Sequence, residues 1–136
     1  MNLTNPSFKR LNFLETPDED SPLIMDRVGL LAELYRYSSI TFVGGSFKSR
    51  VHNVLEPAAY ANAILVGPLI QNSFEATEMY RLGLGLTSVD SSGNLLESVL
   101  KRLSDVSFVK SEGEAAYNYL LNRRGSAAKY CDLLVL

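Results

Sequence analysis

Residues 42 to 57 read FVGGSFKSRVHNVLEP, and this stretch decides the fold. Ile40-Thr41-Phe42-Val43 is β-branched and aromatic, a strand pattern that stops at Gly44-Gly45. Asn53, with Glu56 three residues on and Pro57 beside it, opens a helix expected from about Asn53 to Tyr60. A strand, a glycine turn and a helix in that order form the repeating unit of a layered α/β domain.

The pattern continues outward. Leu23-Ile24-Met25 reads as a short strand, and after Gly29 the residues Leu30, Leu31, Leu34 and Tyr35 fall at helical spacing. Ala63 to Val66 is a third strand closed by Gly67-Pro68, and Phe74 to Leu82 a helix ended by Gly83 and Gly85. Leu86 to Val89 is a short strand. Ser91-Ser92-Gly93 then offers an N-cap for a helix whose Leu95, Leu96, Val99, Leu100 and Leu103 make an apolar stripe, read as core packing. In the last third Ala115, Ala116, Tyr119 and Leu120 share a face, Arg123-Arg124 cap the helix end, and Gly125 breaks it. Ser126 to Leu136 reads either as a closing helix or, at LLVL, as a short strand. Strands separated by helices imply a mainly parallel sheet with right-handed crossovers. Residues 1 to 22 differ: Pro6, Pro17, Pro22 and the acidic run Asp18-Glu19-Asp20 make an irregular leading segment, with one candidate strand at Leu11 to Leu14. Residues 23 to 136 are read as the domain proper.

Composition bounds the function. The chain has 136 residues, enough for one ordinary domain, with 46% hydrophobic and 21% charged residues. Thirteen basic and 15 acidic residues give a net charge of −2 without a basic face, which argues against nucleic acid as a partner. Cys131 is the only cysteine and His52 the only histidine, so an internal disulfide, a cysteine-rich metal site and a Cys–His nucleophile are all discounted. No apolar run approaches the roughly 20 residues of a membrane span. The opening MNLTNPSFKRLNF has no apolar signal core, so a soluble segment is expected, with membrane contact only peripheral.

Open parallel sheets bind ligands beyond the carboxyl ends of their strands, where Gly44-Gly45-Ser46 lies. Two glycines let the backbone approach a ligand closely. The helix start at Asn53 offers N–H groups to a phosphate, Glu56 an acceptor for ribose hydroxyls, and Lys48, Arg50 and His52 further donors. The same residues admit a purely structural reading: Asn53 and Glu56 as a capping pair, Gly-Gly as a turn. From the residues alone the two readings stand level. The spacing is neither a G-x-G-x-x-G fingerprint nor a P-loop.

The run DRVGLLAELYRYSSITFVGGSFKSRVHNVLEPAAYANAILVGPLIQNSFEA, Asp26 to Ala76, resembles the donor-binding region of the Kdo transferases, which attach 3-deoxy-D-manno-oct-2-ulosonic acid to lipid A precursors. The matching positions are Asp26, Gly29, Leu34-Tyr35, Val43 to Phe47, His52-Asn53, Leu55 to Ala59, Gly67-Pro68, Asn72 and Glu75. The resemblance implies a Rossmann-like α/β domain, the carboxyl-terminal half of a two-domain GT-B glycosyltransferase with CMP-Kdo as donor and no cofactor or metal. It implies that Val28, Gly29 and Leu30 contact the CMP part together with His52, Asn53, Val54, Leu55 and Glu56. Gly44, Gly45 and Ser46 would shape the pocket floor. Arg50-Val51 stand where two glycines often precede the family's His-Asn, and Leu30 stands where many members are acidic. In the family the amino-terminal domain supplies the glutamate base, meets the lipid A precursor and holds the cytoplasmic face of the bacterial inner membrane. That domain is expected to lie outside this chain, leaving it inactive alone and without a catalytic residue. Two other readings remain at this point: a nucleotide-sensing or interaction domain without catalysis, and the donor half of a GT-B enzyme that uses a UDP-sugar.

Overall fold

The computed structural model describes residues 9–10, 23–25 and 29–123. The candidate strand at Leu11 to Leu14, Val28, Arg124, Gly125 and the segment from Ser126 to Leu136 lie outside them. The chain divides into two compact units, Met1–Leu31 and Ala32–Leu136. In the first, β1 (Lys9–Arg10) pairs in parallel with β2 (Leu23–Ile24). Helix α1 (Leu31–Leu34) passes into a 3-10 turn, Tyr35–Tyr37, that buries Tyr35 and leaves Tyr37 exposed.

The second unit is built on three parallel strands in the order β3 (Ile40–Val43), β4 (Ala63–Val66) and β5 (Leu86–Ser88). Ile40 faces Ala63 and Val43 faces Val66; Ile64 and Val66 in turn face Leu86 and Ser88. Parallel neighbours need crossovers, supplied by α2 (Leu55–Ala59) and α3 (Phe74–Leu82). Ala63-Ile64-Leu65-Val66 is an unbroken apolar run because β4 is central and buried along its whole length. Burying side chains of this size stabilises the fold by about 1.5–3 kcal/mol each.

Each later helix starts on its own side chain. Ser73 accepts from Ala76 N–H at 3.1 Å and opens α3, which Gly83 ends in the left-handed region (φ 65°). Ser91 accepts from Asn94 N–H at 3.2 Å and opens α4 (Ser92–Ser104). Asp105 follows as the single residue between α4 and α5 (Val106–Asn122), accepting from Phe108 N–H at 2.9 Å. Hydrogen bonds from Ser107 and then from Phe108 hold the Asp105 carboxyl below the usual aspartate range. The cap's contribution is thus full above the ordinary aspartate pKa of about 3.9 and lost as pH falls through the lower folded value.

Two glycines seat α5. A Cβ on Gly113 would fall 1.9 Å from the Ala61 carbonyl oxygen, and one on Gly85 2.1 Å from that of Glu112. This close approach lets Ala116 and Tyr119 complete the core formed by Val43, Val54, Ile64, Val66 and Met79. Burial, then the hydrogen bond donated to Glu78 (2.7 Å), keeps the Tyr119 hydroxyl protonated far above the ordinary tyrosine range. Arg123 pairs with the same Glu78 and lies over the rings of Phe74 and Tyr119.

Two expectations change. Helix α2 is five residues long, not eight, because Asn53 turns back on Leu55 N–H before the helix begins. The α4 stripe is core only at its edge: Leu95 and Val99 are half-buried, Leu96, Leu100 and Leu103 are 60%, 55% and 66% exposed, and the buried residue of α4 is Arg102. Helix α5 packs against α4, but the ion pair at Arg102 occupies the contact, so the leucines point elsewhere.

Candidate functional site

The loop from Gly44 to Val54 joins β3 to α2, and the turn from Gly67 to Ser73 joins β4 to α3. Both lie beyond carboxyl ends of parallel strands, and the sheet register brings them side by side. Between them is a cleft of about 440 Å³ walled by residues 50–55 with Asn72, Ser73 and Glu75. A larger hollow of about 520 Å³ opens at the opposite end of the strands, beside Ile40, Ala61 and Val106. Its lining is mainly apolar, and its one buried cation, Arg102, is already engaged by Glu112, Thr87 and the Ser98 carbonyl. The smaller cleft has the polar groups a ligand needs, at the end where such sheets bind ligands.

The loop is braced at three points. Ser46 is fully buried, and its hydroxyl accepts from Gly67 N–H at 2.6 Å while its carbonyl accepts from Leu69 N–H at 2.9 Å. A Cβ on Gly67 would sit 2.9 Å from the Ser46 carbonyl carbon, so the two turns touch backbone to backbone. Val51 is buried in the core, and both its backbone polar groups are held by one side chain. Asn72 accepts from Val51 N–H and donates to Val51 C=O, each at 3.0 Å, as a neighbouring strand would.

The two loop glycines have different work. Gly45 has φ 93°, and a Cβ there would stand 2.3 Å from the Arg50 carbonyl oxygen and 2.8 Å from His52 Nε2. Gly45 is therefore required by the fold, and its bare α-carbon seats the His52 ring. Gly44 has no positive φ, and a Cβ on it meets nothing within 4 Å. A lack of side chain at Gly44 serves only an approach from outside the chain. Gly44→Ala is expected to leave the denaturation midpoint within about 0.5 kcal/mol, or slightly raise it by restricting the unfolded chain. If the nucleotide implied by the sequence resemblance binds here, the same variant should bind it less tightly, and unchanged titration curves would assign Gly44 no ligand role.

His52 and Asn53 are exposed at the cleft, whereas Val54 is 1% exposed and points into the core. Leu55 packs against that core while remaining half-buried, so it is at Val54 that only backbone faces outward. Asn53 accepts from Leu55 N–H and donates to Glu56 Oε1, both at 3.0 Å. The two are joined side chain to side chain, but they do not cap α2 as expected: the helix starts after Val54, with no side-chain cap bond, and Glu56 keeps its second carboxylate oxygen for another donor. Gly29 (φ 89°) and Leu30 belong to the amino-terminal unit. Asn72, Ser73 and Glu75 were not among the expected site residues. Asn72 and Glu75 had been marked by the family pattern, but only the fold sets them across the cleft from His52. Among the described residues no group of three or more His, Cys, Asp or Glu is placed to hold a metal ion.

The Asn72 clamp has a testable cost. Asn72→Ala leaves a part-buried N–H and C=O unpaired, and is expected to lower stability by about 1–3 kcal/mol in denaturant unfolding. Asn72→Asp keeps the acceptor for Val51 N–H but sets a carboxylate against the Val51 carbonyl. It should be no better than alanine at pH 7 and recover partly below about pH 4, where a protonated carboxyl donates again.

Known proteins resemble the chain in sequence and in fold. The 3-deoxy-D-manno-octulosonic acid transferase of Haemophilus influenzae is 32% identical over 133 residues, 93% of this chain and 30% of that protein. The transferase of the same description from Chlamydia muridarum is 35% identical over 102 residues, 74% of this chain and 24% of its own. The chain thus spans under a third of the length of these curated relatives. The crystal structure of the C-terminal CMP-Kdo binding domain of WaaA from Acinetobacter baumannii superposes with a TM-score of 0.74 at 21% identity, over 83% of this chain and 60% of that one. The α/β, Rossmann-like architecture expected from the sequence is therefore shown. No family model matches the chain.

Proposed function

Because this chain is related along nearly all its length to the Kdo transferases, we propose that it holds the CMP part of CMP-Kdo as the donor-binding half of such an enzyme. The observation that carries the reading is the cleft itself. It joins the loop of the family-like motif, with His52 and Asn53 outward, to the turn bearing Asn72 and Glu75. In the proposed site the backbone at Gly44 and Gly45 lies against the nucleotide, and Ser46 holds the floor from beneath. His52, Asn53 and the backbone of Val54 and Leu55 offer polar groups, and Glu56 accepts from ribose hydroxyls.

The whole reaction proposed is inverting transfer of Kdo to a lipid A precursor hydroxyl in lipopolysaccharide biosynthesis. A carboxylate base on an acceptor domain, at the cytoplasmic face of the inner membrane, deprotonates that hydroxyl. The donor half orients the nucleotide and stabilises the charge that develops on the departing CMP phosphate. In this reading the base belongs to the acceptor domain, and residues 23 to 136 are the donor domain. Among the described residues no helix is long and apolar enough to cross a membrane.

Calorimetric titration with CMP, UMP and AMP tests the reading. Saturable binding with CMP the tightest is expected, and a preference for UMP would assign the site to a UDP-sugar enzyme instead. Turnover of CMP-Kdo by the purified chain alone would overturn the division of labour.

A further inference from the structure

We infer that Arg50 is a phosphate-binding residue of this cleft, held in position by Asn72, and that it makes the site discriminate a nucleotide from the nucleoside. The inference rests on the donor-site reading and adds to it a residue outside the family-like motif.

Arg50 lines the cleft with an exposed side chain. Long exposed cations are usually mobile and bind weakly, because fixing them costs conformational entropy. The backbone of Arg50 is not free in that way. Its carbonyl oxygen lies against the bare α-carbon of Gly45, 2.3 Å from where a Cβ would be. The next residue, Val51, is 4% exposed and has both its N–H and C=O fixed by Asn72. The stem of the side chain therefore starts from a fixed point on the cleft wall.

Among the described residues the guanidinium has no hydrogen-bond or ion-pair partner, and each carboxylate nearby accepts from a neighbouring polar side chain with one of its two oxygens. Glu75 accepts from Ser73 Oγ at 3.1 Å, and Glu56 from Asn53 at 3.0 Å. Its planar fork of donors is thus left for a group arriving from solvent, and that geometry matches two phosphate oxygens. The short helix α2 has too few turns to supply an equivalent positive end. Arg50 and Glu75 line one cleft, which suits a ligand with a phosphate at one end and hydroxyl donors at the other.

The test compares CMP with cytidine by calorimetry for the chain and for Arg50→Met and Arg50→Lys. The chain is expected to bind CMP more tightly than cytidine, by a margin that shrinks with added salt. Arg50→Met should bind CMP about 10-fold or more weakly, the range of one charge-assisted contact, with cytidine within about twofold and the melting temperature unchanged. Arg50→Lys should recover part of the loss. If Arg50→Met binds CMP within about twofold of the parent, or loses CMP and cytidine equally, the role of Arg50 is overturned while the donor site stands. Failure of the parent chain to bind either ligand overturns the donor-site reading, and this inference with it.

Discussion

Gly45→Ala is expected to destabilise the chain by on the order of 4 kcal/mol and to abolish CMP binding together with it. Two costs add. The backbone is at φ 93°, where an L side chain is strained by about 1–3 kcal/mol. The new methyl would also lie 2.3 Å from the Arg50 carbonyl and against the His52 ring, so the loop must move, at a further 1–3 kcal/mol. Because the nearest atom struck is the backbone carbonyl oxygen of Arg50, rotation of the His52 ring cannot relieve the whole contact. Denaturant unfolding gives the stability loss, and CMP titration of whatever fraction remains folded gives the second readout. A variant with native stability would mean that the loop's left-handed turn is not required. Comparison with Gly44→Ala separates a glycine the fold needs from one needed only by what approaches it.

The second large effect is at Arg102, 3% exposed and bonded four times over. It reaches Glu112 by two contacts at 2.7 and 2.6 Å, Thr87 Oγ1 at 2.8 Å and the Ser98 carbonyl at 3.0 Å. Arg102→Ala leaves the Glu112 carboxylate, itself 14% exposed, without its counter-charge, and opens a void where α4 meets α5. Breaking a buried pair from one side costs about 3–5 kcal/mol, so a domain of this size is expected to be largely unfolded at 37 °C. Removing both charges is a different experiment. Arg102→Met with Glu112→Leu replaces the pair by apolar groups of similar length and is expected to restore most of the stability. If the double variant is as unstable as the single one, the pair carries specific energy beyond its mutual compensation.

Arg102 also marks the limit of reading this chain from its residues. An arginine between Leu100 and Leu103 looks like the polar side of an amphipathic helix. Its burial depends on Glu112 from the next helix and Thr87 from β5, which no local spacing announces. The outward leucines of α4 follow from the same fact. Elements bounded by their own punctuation were legible: Ser73 and Gly83 delimit α3 at Phe74–Leu82, and the unbroken apolar run of β4 could only be a central strand. At the site, the glycine loop and its outward His52 and Asn53 were legible. The division of labour between Gly44 and Gly45 was not, because it depends on where Arg50 and His52 return. Asn72 lay 21 residues from the Val51 backbone it holds. Asn62 escaped notice altogether: fully buried, it donates to the Tyr35 carbonyl at 3.0 Å and accepts from Thr41 at 2.8 Å, tying the turn before β4 to the sheet.

The seat of α5 on Gly85 and Gly113 bears on the order in which the molecule is made. A ribosome delivers β3, β4 and β5 in sequence, and each pairs with the one just released. Yet the core under that sheet stays open until Ala116 and Tyr119 arrive, and they enter only once Gly113 has slid against Ala61, 52 positions earlier in the chain. Until then a nascent sheet with its apolar side uncovered must wait for the last helix, the interval in which a chaperone has something to hold.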